Sequence, residues 1–121
     1  MSEKADCCKY EEELAVLSLD ERGMICDCSA AVAEVSGYLP GELLGRHVSF
    51  LLPGLPESIL VEGGQINPRI SFLCHCEHLF HIKDSNGRML PSQLHLFELN
   101  NPNGSPFRMI LLPLQLKIEE H

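Results

Sequence analysis

The sequence has no tryptophan, no run of basic residues and no apolar stretch long enough to span a bilayer. Its nine Lys and Arg residues are scattered among seventeen Asp and Glu, which leaves a net charge of −8 with the histidines neutral. Binding to nucleic acid or to an anionic membrane needs clustered cations that displace counterions from phosphates, so neither partner is expected. Residues 1–13 are polar and acidic and lack the basic start and apolar core of a secretory signal. A cytoplasmic protein is therefore expected. Six cysteines would form a disulfide framework only in a secreted setting, so reduced thiols are expected as well. No glycine-rich phosphate loop is present, and no Ser–His–acid set can be assembled from the sequence. Nothing points to an enzyme.

What is present suits one packed domain. Apolar residues make up 45% of 121, enough for a core and too many for disorder. Residues 1–13 read as an N-terminal cap or tail, and 14–118 as a single domain. Leu14 to Leu19 reads as a strand, Asp20-Glu21-Arg22-Gly23 as a turn, and Met24 to Cys28 as the second strand of a hairpin. Ser29 stands as the N-cap of a helix that Gly37 closes. Pro40 opens a shorter helix that ends at Gly45. Residues 47–52 form a brief apolar segment, and between Gly54 and Pro68 one short helix fits around Glu57 to Val61. Ile70 to Lys83 and Arg88 to Leu99 read as two long strands joined by the turn Asp84-Ser85-Asn86-Gly87. Phe107 to Ile118 reads as the last strand. Strands and helices are segregated rather than alternating, which predicts an α+β fold with an antiparallel sheet.

This order of elements, and the residues at its joints, resemble the PAS domain family over roughly residues 14–116. The marked pieces are Leu19-Asp20-Glu21-Arg22-Gly23-Met24-Ile25, Ser29-Ala30-Ala31, and Ser36-Gly37-Tyr38-Leu39-Pro40-Gly41-Glu42-Leu43-Leu44-Gly45-Arg46. Lys83-Asp84 with Gly87-Arg88 and then Leu90-Pro91 resemble a later hairpin of the family. The resemblance implies a five-stranded antiparallel sheet with short helices packed on one face, used as a sensory and protein-interaction module. It also excludes familiar cofactors. Light-sensing members carry a flavin-reactive cysteine where this chain has Val48, and flavin binders carry Asn where it has Ser92. FMN is therefore not expected. Residues 54–68 contain no histidine of the kind that haem-binding members use, and the shortness of that segment implies a small pocket.

The oddest cluster is Cys74-His75-Cys76-Glu77-His78-Leu79-Phe80-His81. On a strand, alternate residues share a face, which would set Phe72, Cys74, Cys76, His78 and Phe80 toward the cup. With Leu90, Ser92 and Leu94 from the next strand, they form the expected pocket lining. No cofactor is expected there. The alternative is a ligand, haem or metal/redox sensor in which Cys74, Cys76 and His78 bind the metal or His78 alone binds haem. Side chains two apart on a strand start about 6.6 Å apart, awkward for ligands of one ion, so cysteines filling core space are preferred. The last strand is apolar on both faces, with Phe107, Met109 and Leu111 opposed to Ile110, Leu112 and Leu114. A mid-sheet position with a covered outer face follows, and a homodimer through that face and the N-terminal segment is expected.

Overall fold

Ala15, Leu17 and Leu19 are buried and the residues between them half-buried, the two-residue period of a strand with one face on a core. In the computed structural model, which describes residues 14–99 and 104–114, this strand is β1 (Ala15–Leu19). The N-terminal segment 1–13, with Cys7 and Cys8, lies outside the described residues, as does the expected course of the last strand beyond Leu114. The turn after β1 forms as its residues require. Asp20 Oδ1 accepts from the N–H groups of Arg22 (2.8 Å) and Met24 (2.9 Å), and Gly23 takes φ +89°. Strand β2 (Ile25–Cys28) returns antiparallel to β1.

Ser29 precedes helix α1 (Ala30–Ser36), yet its hydroxyl does not cap that helix. Instead it donates to the Leu14 carbonyl (2.7 Å) and accepts from the Val16 N–H (3.0 Å), tying the helix entry to the start of β1. Gly37, at φ +80°, ends α1 with its N–H on the Ala33 carbonyl. Helix α2 (Pro40–Leu43) follows. Glu42 Oε1 accepts there from the Leu39 N–H at 2.9 Å. A 3-10 turn over Val48–Phe50 and the buried Leu51, Leu52 and Leu55 then close one side of the core. The short helix expected near residue 57 is α3 (Glu57–Leu60), and a two-residue hairpin, β3 (Val61–Glu62) and β4 (Gln65–Ile66), turns at Gly63-Gly64.

The next segment corrects the sequence reading. Residues 70–83 are not one long strand but helix α4 (Pro68–His75), a turn and the short strand β5 (Phe80–Lys83). Asn67 caps α4 by accepting from the Arg69 N–H at 2.9 Å, and Pro68 fills the first position, where a missing N–H costs nothing. The buried residues of α4 are Ile70 and Cys74, with Leu73 packed against the core, a helical spacing. Glu77 ends the helix in the left-handed region at φ 60°, and the His78 N–H reaches back to the Leu73 carbonyl at 3.0 Å.

The hairpin from β5 to β6 (Met89–Glu98) forms at the expected turn. Asp84 Oδ1 accepts from the N–H groups of Asn86 and Arg88, and the Gly87 N–H donates to the Asp84 carbonyl. The end of α1 docks on this turn: the Ser85 N–H donates to the Ser36 carbonyl at 2.8 Å. Strand β7 (Phe107–Pro113) lies between β1 and β6, and the sheet order is β2-β1-β7-β6-β5, antiparallel throughout. The architecture is therefore an α+β fold, a five-stranded sheet with short helices, as the sequence implies. Its inner face and the helices enclose one apolar core of leucines, isoleucines, valines, Phe80, Phe107 and Met109. Among the described residues, no helix is long and apolar enough to cross a membrane.

Candidate functional site

The expected pocket residues divide once α4 is a helix. Phe80, Leu90, Ser92 and Leu94 do stand on the inner face of the sheet. Phe80 pairs across from Ser92, Leu90 from Ile82, and Leu94 from Leu111. Phe80, Ser92 and Leu94 are buried and Leu90 is half-buried. The Ser92 hydroxyl donates to the neighbouring Gln93 carbonyl at 2.9 Å. Phe72, by contrast, is 65% exposed on α4. Cys74 faces the core, Cys76 is the exposed C-cap of the helix, and His78 lies in the turn beyond. The helical twist and the turn separate Cys74, Cys76 and His78, which a strand would have aligned. Among the described residues, no group of three His, Cys, Asp or Glu side chains could hold a metal.

Burial pushes the Cys74 thiol up to about 11 from an ordinary 9.0. At neutral pH it is a core group, not a nucleophile. Cys28, on β2, is also raised, chiefly by burial and then by the adjacent Asp27 carboxylate. Val48 is fully buried at the head of the 3-10 turn. His47, just before it, caps that turn: its Nδ1 accepts from the Ser49 N–H at 3.0 Å. Its Nε2 is buried without a partner among the described residues and lies where a side chain on residue 23 would begin.

Among the described residues, two open surfaces bear on function. One is a cleft of about 730 Å³ between α3, the start of α4 and β5. Its apolar walls include Leu55, Ile59, Leu73, Leu79, Phe80 and Met89. Its polar groups come from Ser58, Glu62, Asn67, Arg69, His78 and His81. His78 is set edge-on against Phe80, with ring centroids 4.8 Å apart. The cleft is larger than the small pocket that the short 54–68 segment implies, and His78 and Leu79, in the turn after α4, form part of its lining. Sequence reasoning placed only His78 and Phe80 of this lining in a pocket. The signal for the rest was Asn67-Pro68, a helix start that moves Arg69, Ile70 and Leu73 onto α4.

The other surface is the outer face of the sheet. Its central rows run Val16–Ile110–His95 and Ser18–Arg108–Phe97, with Leu112 opposite Gln93 beside them. Ile110 and Leu112 are half-buried, and Phe97, stacked parallel to His95, is 44% exposed. The second row continues onto β2 at Asp27, opposite Ser18, so a carboxylate stands at its end.

No family model matches the chain, and no curated protein is significantly similar to it in sequence. Solved structures are similar to it in fold. The PAS domain of an HTR-like protein from Haloarcula marismortui superposes with a TM-score of 0.65 at 16% identity, covering 91% of this chain and 99% of that one. The PAS domain of a protein from Colwellia psychrerythraea gives 0.63 at 17% identity, with 93% and 95% covered. A fungal LOV-domain photoreceptor gives 0.58 at 16% identity, with 86% and 74% covered. This chain has the PAS fold.

Proposed function

From the PAS fold we propose that the chain is a non-catalytic sensory and signalling module that pairs with a second copy through the outer face of its sheet. The observation that carries the pairing is that face itself. Ile110, Leu112 and Phe97 form an apolar surface on β6 and β7, with the Asp27 carboxylate set two strands away on β2. Two copies of a chain with net charge −8 repel each other over most of their surfaces. Here the centre offers only Arg108 as a fixed charge, with Asp27 at the margin beside Ser18. A twofold axis through β7 would set the patch on itself, as a self-complementary interface requires. Val48, with no thiol, supports signalling without a flavin–cysteine adduct.

Light scattering or sedimentation across the micromolar range tests the pairing. A dimer is expected at high micromolar concentration. Ile110→Asp should weaken it at least about tenfold with circular dichroism unchanged. A monomer at high micromolar concentration, or an Ile110→Asp variant that dimerises like the parent, overturns it.

A further inference from the structure

The open cleft lies at the β5 edge of the sheet and shares no lining residue with the Ile110, Leu112 and Phe97 patch, and its composition differs from the rest of the molecule. Its volume, about 730 Å³, falls within the range of small-molecule sites, roughly 300–1,000 Å³. Single exposed apolar residues are ordinary on any surface, but here Ile59 (42% exposed), Leu79 (37%) and Met89 (49%) surround one opening. They continue inward onto Leu73 and Phe80. The acid excess of the chain is also absent there. Over the whole chain acids outnumber bases seventeen to nine, whereas the cleft lining holds one carboxylate, Glu62, and one guanidinium, Arg69. The Arg69 side chain is exposed and has no ionic partner among the described residues, while its backbone is fixed by the Asn67 cap. Ser58, Asn67, His78 and His81 add hydrogen-bonding groups to the same lining.

We propose that this cleft binds an aliphatic monocarboxylate, with the carboxylate on Arg69 and the chain along Ile59, Leu79 and Met89. A guanidinium presents paired N–H donors that match the two oxygens of a carboxylate. The apolar walls select a ligand with a hydrocarbon body, since a bare inorganic anion would leave them in contact with water. Glu62 and the net charge of −8 select against a second negative charge. The leucine-rich interior of the cup is not the binding volume: Leu17, Leu19, Leu94, Met109 and Leu111 are all essentially inaccessible, and the ligand enters between α3, α4 and β5.

The test is a methyl NMR titration of the full chain with decanoate, kept below micelle formation, and with decanol as the uncharged control. Saturable shifts confined to Ile59, Leu73, Leu79 and Met89 are expected, with decanol bound at least about tenfold more weakly. Arg69→Gln, at an exposed position, should reduce decanoate affinity by a similar factor without changing that of decanol. Equal binding of decanoate and decanol overturns the proposal. So does an Arg69→Gln variant with unchanged affinity, an absence of saturation, or shifts that map instead to Ile110 and Leu112. The dimer equilibrium, measured separately in the same samples, does not bear on these outcomes.

Discussion

At the scale of single residues, the core is held by groups whose chemistry leaves little choice. Cys74 is the clearest case. Its folded pKa lies above its unfolded one, so the neutral thiol contributes stability that is full below about pH 9. That contribution is lost as pH rises through 9 toward 11, and Cys28 acts in the same direction. Urea midpoints measured across that interval should fall, and Cys74→Ala should flatten the fall. Alkylation at neutral pH followed by mass spectrometry should label the exposed Cys26 and Cys76 before Cys74. Gly23 is constrained twice, by φ +89° and by the His47 ring, whose Nε2 would lie 2.7 Å from an added Cβ. Gly23→Ala should therefore cost about 1–3 kcal/mol in denaturant unfolding. Glu77 is the reverse case. A glutamate there occupies the left-handed conformation at φ 60°, so Glu77→Gly should be neutral or stabilise by up to about 1 kcal/mol.

At the scale of elements, Glu77 also explains what the sequence hid. The hairpins were legible because their turns are written in Gly, Asp and Asn: Gly23 after Asp20, and Gly87 after Asp84 and Asn86. Helix α1 was legible from Ser29 and Gly37, although the Ser29 hydroxyl turned out to bind β1 rather than its own helix. Between residues 68 and 83 no glycine marks the end of a helix, because Glu77 takes that role. Cys, His and Phe at every second position then imitate the period of a strand. The start signal, Asn67-Pro68, was present, and the pattern Ile70, Leu73, Cys74 carries the helical spacing. The cleft was illegible for the same reason, since its walls meet only when α4 turns out of the sheet plane. Two substitutions separate helix from strand. Phe72→Glu should change stability by no more than about 0.5 kcal/mol, because the side chain is in water. Asn67→Ala should cost about 1 kcal/mol through the lost cap, a loss that a strand would not register. Equilibrium unfolding of both variants reads out the difference.

At the scale of the whole molecule, the sheet order concentrates rigidity. β7 is paired on both sides, with β1 over five residue pairs and with β6 over seven, while the β3–β4 hairpin is held by two. Amide hydrogen exchange should therefore be slowest in β1, β6 and β7 and fastest around Gly63-Gly64. Comparable protection in the small hairpin would contradict this ranking.

The same order has a consequence for how the protein is made. A ribosome delivers β1 and β2 first and β5 and β6 much later, yet no strand of one hairpin pairs with a strand of the other, and β7 joins them. Between completion of β6 at Glu98 and arrival of β7 at Phe107 the nascent chain holds two separate half-sheets, with the open edge of β1 and the long edge of β6 both offered to any passing strand. Release of residues 107–113 from the exit tunnel is thus the step that commits the chain to its own fold rather than to pairing with a neighbour on the same message.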